Sequence, residues 1–197
     1  MSTSASTSSP LAQIAEWLKE AEKKETLEPA AMSVATVGAD GRPTLRMVLV
    51  RGIDERGLVF YTNLGSRKAE DIRANQHVAL CLHWKSMTRQ VRVEGRATQV
   101  EDAEADAYFA SRPRESQIGA WASKQSQHLE GRFTLEGRVA KFAARYAIGA
   151  VPRPPFWSGF RVVPERIEFW EDRPFRLHER TVWELEQGRW SSHKLYP

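Results

Sequence analysis

MSVATV (Met32–Val37), TLRMVLVRGI (Thr44–Ile53) and LVFYT (Leu58–Thr62) follow one another, separated by the turns Ala39-Asp40-Gly41 and Asp54-Glu55-Arg56-Gly57. β-Branched and aromatic residues fill the three runs and Gly-containing turns close them. The stretch therefore reads as three short strands in an antiparallel meander. Upstream, Leu11, Ile14, Ala15, Leu18 and Ala21 fall at helical spacing and predict an amphipathic helix over about residues 10–25. Downstream, Ser66 opens a short helix over about 67–75, and strands follow at His77–Trp84 and Arg89–Val100. The middle, about 101–148, reads as mostly helical. Gly149-Ala-Val-Pro-Arg-Pro-Pro155 then forces an extended loop, and strands return at Phe160–Glu171, Thr181–Glu186 and Trp190–Leu195. Strands that do not alternate regularly with helices argue against a doubly wound parallel sheet. Seven or eight short antiparallel strands with inserted helices predict a mainly-β, α+β chain closed into a small barrel.

The 197 residues are 41% hydrophobic and 27% charged, with 29 basic against 25 acidic side chains and a formal net charge of +4. That is an ordinary globular balance, sized for one domain over residues 11–197 whose core needs no disulfide staple. The pI near 9.4 permits an anionic partner, but so small a net charge does not mark a nucleic-acid binder. The single Cys81 lies in Val78-Ala79-Leu80-Cys81-Leu82. It excludes a disulfide framework and a Cys-rich zinc site and reads as a buried thiol. No apolar run is long enough to span a membrane. Residues 1–10 are Ser/Thr-rich without the basic and apolar regions of a secretory leader, so a disordered tail and a cytoplasmic setting are expected.

Familiar chemical motifs are missing. There is no GxGxxG, no GxxxxGK[ST], no HExxH and no GxSxG, and the five histidines show no metal-ligand spacing. No metal is expected. Three clusters of basic and hydroxyl residues remain. Arg46 and Arg51 flank a strand with Tyr61, Thr62, Ser66, Arg67 and Lys68 nearby in sequence. Five residues apart on one unbroken strand, the two arginines face opposite sides unless the strand is interrupted. Arg67 and Lys68 fall in the first turn of a helix, where outward N–H groups, a guanidinium fork and an ammonium suit a phosphate dianion. A solvated helix start is the alternative. Tyr108, Arg112 and Ser116, four residues apart each time, also suit a phosphate, or else a surface loop between helices. Last, Arg176, His178 and Arg180 alternate along a chain read as extended, which points all three to one side beside Trp170. Such a face needs an electron-rich ligand or acids such as Glu168 and Glu179 between its cations.

Four blocks carry a resemblance: Phe60–Lys68, Ser111–Ser126, Phe156–Phe160 and Ile167–Arg180. In order and spacing the chain from about Ala31 to Pro197 resembles the pyridoxine/pyridoxamine 5′-phosphate oxidase family. The resemblance implies a split β-barrel homodimer with FMN at the subunit interface. It implies oxidation of pyridoxamine or pyridoxine 5′-phosphate to pyridoxal 5′-phosphate with O2 as acceptor. Arg46, Arg67 and Lys68 then grip the FMN phosphate. The segment Arg46, Met47, Val48, Leu49, Val50 and Arg51, with Tyr61, Thr62, Gln125 and Ser126, supplies further flavin contacts. Gln90, Trp170 and Arg180 line the flavin ring region. Tyr108, Arg112 and Ser116 hold the substrate phosphate, and Arg51 touches flavin and substrate. Arg176, Leu177 and His178 lie beside the pyridine ring, with Arg176 and His178 assigned to catalysis.

The chain departs from the family pattern in three places. Arg51 stands where Lys is usual, Glu171 where Gln or His is usual, and residues 1–10 lack the Arg/Tyr-bearing segment of some members. Two other readings remain open. One is an FMN oxidase of the same fold acting on another ring, as in phenazine biosynthesis. The other is a non-catalytic flavin- or pyridoxal-phosphate-binding protein. Trp157 and Trp183 are read as exposed residues suited to an interface.

Overall fold

In the computed structural model, residues 9–131 and 133–197 are described. The expected tail therefore lies largely outside the described residues, and Pro10 already belongs to the first helix. That helix, α1 (Pro10–Lys24), places Pro at its first position, where the missing N–H costs nothing, and buries Leu11, Ile14 and Ala21.

Two hairpins follow: β1 (Ala31–Val37) with β2 (Pro43–Leu49), and β3 (Gly52–Asp54) with β4 (Gly57–Asn63). They do not form the expected meander. Strand order is β2, β1, β5 (His77–Trp84), β6 (Arg89–Gln99), β7 (Trp157–Glu171), β4, β3, so the hairpins sit at opposite ends of the sheet path. The expected strand over 44–53 is broken at Val50 and Arg51. The Val50 N–H donates to Ala30 O at 2.9 Å and the Arg51 N–H to Val59 O at 2.8 Å. Val50 is buried in the core, and the chain crosses from one hairpin to the other there.

β5 (His77–Trp84), β6 (Arg89–Gln99) and β7 (Trp157–Glu171) form the centre of the sheet. The fifteen-residue β7 pairs with β6 along one edge. Its other edge is shared: β4 takes residues 157–162, and β8 (Glu179–Glu186) takes 166–171. β9 (Arg189–Leu195) pairs with β8. Between the two halves the β6–β7 register shifts at Glu94/Gly95, opposite Pro164. A Cβ on Gly95 would stand 2.2 Å from Val163 O, so only glycine lets the strands approach there. All pairs are antiparallel and the sheet curls into a half-barrel, the fold class the sequence predicts.

Alternation places Met32, Val34, Leu80, Leu82, Trp84, Val91 and Val93 inside, against α1 and Phe60. Each large side chain so buried contributes roughly 1.5–3 kcal/mol. α2 (Arg67–Ala74) follows β4. α3 (Asp102–Ser111), α4 (Arg114–Ala122) and α5 (Thr134–Arg145) fill the middle expected to be helical. Phe109 of α3 and Ile118 of α4 pack with Val151 and Trp157 in a second small core, which seats both helices beside β4. Trp157 is thus buried, contrary to expectation, and Trp183 is partly buried against the main core.

Candidate active site

β2, β4, α2 and the α3–α4 junction enclose a cleft of about 1260 Å³. At one end lies Lys68, 7% exposed in the first turn of α2. Its Nζ donates to Thr62 Oγ1 (3.0 Å), Gln125 Oε1 (3.1 Å) and Ser66 Oγ (3.3 Å). All three partners are neutral. Burial first, and the charge of Arg46 second, bring its pKa down from 10.5 to about 8. Arg46 Nη1 donates to Thr36 Oγ1 (2.7 Å) and Val34 O (3.1 Å), and Nη2 reaches the Thr44 hydroxyl. The Thr36 and Thr44 hydroxyls donate in turn to Asp71 Oδ2, at 2.7 and 2.8 Å. Burial pushes the Asp71 carboxyl up. Those hydroxyls and the charges of Arg67 and Arg46 outweigh it, and the group ends below the ordinary carboxylate range. Arg67 is exposed and lines the same end.

At the other end Tyr108, Arg112, Ser116 and Arg51 line the cleft. α3 ends at Ser111 and α4 begins at Arg114, so Arg112 leaves the junction with its guanidinium 4.8 Å above the Trp157 ring. Its Nη1 is buried and, among the described residues, has no hydrogen-bond partner. Burial lowers the Arg112 pKa, nearby Arg51 adds to that, and Tyr108 opposes it. Tyr61 stacks on Tyr108 at 3.9 Å and on Trp157 at 5.4 Å. A buried guanidinium nitrogen without an acceptor is costly and suits an anion arriving from the cleft.

The break at 50–51 answers the five-residue spacing problem, because it lets Arg46 and Arg51 line one cleft. Met47, Val48, Leu49, Tyr61, Thr62, Gln125 and Ser126 line it as well. Val50 does not: it points into the core. Trp157, Asn63 and Thr44 line the cleft and were missed as site residues. Trp157 stood inside one of the quoted blocks, but an aromatic next to Pro-rich sequence carries no signal of which side it faces.

The third cluster lies elsewhere. Trp170, Arg176 and His178 line a second cavity of about 430 Å³ with His83, Lys85, Thr88 and Asp172. Among the described residues none lines both cavities. The predicted extended face of Arg176, His178 and Arg180 is not formed. Pro174–Arg176 makes a 3-10 turn, with Phe175 and Arg176 at φ of 60° and 61°. Two consecutive non-glycine residues in the left-handed region cost of order 1–3 kcal/mol each. Arg180 turns away to Glu168 Oε1 (2.8 Å) and Tyr196 O (2.9 Å). Burial raises the Glu168 carboxyl, but Arg180 and Arg92 hold it below its ordinary range. Gln90 pairs across the sheet with Trp170 and with His83, next to the second cavity without lining it. Leu177 is exposed and lines neither cavity.

A curled antiparallel half-barrel with a cleft cationic at both ends defines a split-barrel protein. The family model described as pyridoxamine 5′-phosphate oxidase matches residues 18–146. The model described as the pyridoxine 5′-phosphate oxidase C-terminal dimerisation region matches residues 157–197. The pyridoxine/pyridoxamine 5′-phosphate oxidase of Rhodospirillum rubrum is 63% identical, covering 95% of this chain and 96% of its own. Its namesake in Azorhizobium caulinodans is 58% identical over 95% and 90%. The crystal structure of PhzG from Burkholderia lata 383, in complex with tetrahydrophenazine-1-carboxylic acid, is 31% identical. It aligns with a TM-score of 0.92 over 98% of this chain and 94% of that one. The chain belongs to the pyridoxamine 5′-phosphate oxidase family.

Proposed function

We propose that the chain is an FMN-dependent oxidase in vitamin B6 metabolism. It converts pyridoxamine 5′-phosphate and pyridoxine 5′-phosphate to pyridoxal 5′-phosphate, reducing O2 to hydrogen peroxide. The amine route also consumes water and releases ammonia. Relatives of that name at 58% and 63% identity over 95% of the chain support this reading. The observation that carries it is the orphaned, buried Nη1 of Arg112 in the cleft whose other end holds Lys68. Two separate phosphoryl groups answer both.

The donor set fits FMN. Among the described residues Lys68 is a buried ammonium with only neutral partners, and Arg46 and Arg67 lie beside it, so a phosphate supplies the charge that burial withholds. Tyr61, Thr62, Gln125 and Ser126 line the adjoining wall. Bound FMN supplies a two-electron hydride acceptor that oxygen restores. The chain's own residues bind and orient. Arg112, with Tyr108, Ser116 and Arg51, takes the substrate phosphate at the far end, which fixes the pyridine ring by its tail. Arg176 and His178 position the ring and its reacting substituent.

Because those last residues line a different cavity, this reading requires a homodimer in which the second cavity of one copy closes over the cleft of another. The match to a dimerisation region supports it. So do Leu45, Met47 and Leu177, apolar side chains 68%, 63% and 67% exposed. Trp170, Gln90 and Arg180 fall on the second-cavity side of that interface. A cytoplasmic setting suits the free Cys81. The test is to purify the protein, record a flavin spectrum and add pyridoxamine 5′-phosphate in air. Pyridoxal 5′-phosphate and peroxide in equal amounts are expected, and a yellow protein without turnover overturns the reading. The structural likeness to PhzG with its tetrahydrophenazine ligand favours a second reading, oxidation of another ring. Turnover only with an unphosphorylated ring would select it.

A further inference from the structure

One nitrogen of His178 is contested. Asp172 Oδ1 lies 2.8 Å from Nδ1, and the backbone N–H of Arg173 lies 3.4 Å from the same atom. The two contacts require opposite proton placements. A carboxylate only accepts, so it needs a proton on Nδ1. An amide N–H only donates, so it needs a bare Nδ1, with the proton on Nε2. The shorter, charge-assisted contact prevails.

The surroundings make Asp172 the group that decides. It is the one carboxylate among the described residues lining this cavity, facing His83, Lys85 and Arg176 as well as His178. Neighbouring acids are committed elsewhere: Glu171 to Arg89 and Arg173, Glu179 to Arg173 and Lys194. The Asp172 backbone is fixed by its N–H donating to Thr88 O at 3.0 Å. The imidazole packs against Trp170, with ring centroids 4.7 Å apart. Among the described residues Nε2 has no hydrogen-bond partner.

We propose that Asp172 is a positioning residue that fixes His178 as the Nδ1–H tautomer, leaving the Nε2 lone pair to accept a hydrogen bond from the substrate's reacting amine or hydroxyl. This rests on the reading of Arg176 and His178 as residues beside the pyridine ring. Both alternative substrates carry a donor hydrogen on that substituent, so one acceptor nitrogen serves either. Without Asp172 the Arg173 N–H captures Nδ1, the proton moves to Nε2, and a donor meets a donor.

The test compares Asp172→Ala with Asp172→Asn in the flavin-loaded protein. Asn keeps an acceptor oxygen for Nδ1–H, whereas Ala keeps none. Nitrogen-15 NMR of the histidines, assigned with His178→Gln and recorded without substrate, reads the tautomer directly. The expected result is protonated Nδ1 in the parent and in Asp172→Asn, and protonated Nε2 in Asp172→Ala. With pyridoxamine 5′-phosphate, kcat of Asp172→Ala falls roughly tenfold, the size of one lost hydrogen bond, at nearly unchanged KM, while Asp172→Asn restores most of it. In a His178→Gln background Asp172→Ala costs nothing further. An unchanged tautomer in Asp172→Ala, or an Asn variant as impaired as the Ala variant, overturns the proposal. A parent protein that does not oxidise pyridoxamine 5′-phosphate overturns the functional reading instead, and the NMR result still judges Asp172.

Discussion

Lys68 and His178 are held in opposite ways. Lys68 is buried where a helix begins beside a strand, with three fixed neutral acceptors around its ammonium. His178 sits just past a 3-10 turn with two left-handed residues, on a loop where Phe175 is 93% exposed. The first place is held by hydrogen bonds within one copy of the chain. The second is strained, open and far from finished. Gripping a phosphate needs a preformed charged cradle, which regular elements supply well. Presenting side chains to a ring held by another surface needs reach, which an irregular loop supplies.

The contrast breaks most completely at the cradle. Arg67→Ala with Lys68→Ala removes two charge-assisted bonds of about 1.5–3 kcal/mol each, so FMN affinity falls a hundredfold or more. The double variant should purify colourless, and a yellow one would falsify the assignment of the phosphate grip. Arg176→Leu tests the loop. Catalytic efficiency should fall about tenfold with the flavin spectrum intact, and loss of flavin together with activity would place Arg176 in the cradle instead.

The smallest effect is a matter of pH. The folded Lys68 pKa of about 8 lies below its ordinary 10.5. Between those values the unfolded chain binds more protons, so stability of the flavin-free protein rises with pH across that window. A bound phosphate raises the Lys68 pKa again, so binding above pH 8 takes up a proton. FMN affinity should therefore fall about threefold from pH 7.5 to 8.5. Fluorescence titration at the two pH values checks this, and Lys68→Met should abolish the difference.

Much of this was legible in the sequence where local pattern governs. The alternation in Ala31–Val37 and His77–Trp84 and the helical spacing before Lys24 all describe faces that are truly half-buried. Pairing was not legible, because β4, beyond its hairpin with β3, takes β7, a hundred residues downstream, and not β2 as its second partner. The break at Val50–Arg51 is made by hydrogen bonds to Ala30 and Val59, and nothing in a run rich in β-branched residues announces it. The cleft clusters survived because each spans a helix start or a short junction. The Arg176–Arg180 face failed because Phe175 and Arg176 take positive φ without the Gly or Asn that usually signals it.

The separation of the two cavities has a consequence for control. If the second cavity of one copy closes over the cleft of another, as proposed, a lone subunit could dock both dianions yet bring neither Arg176 nor His178 to the ring between them. On that proposal, assembly itself would be what switches turnover, and with it peroxide release, on.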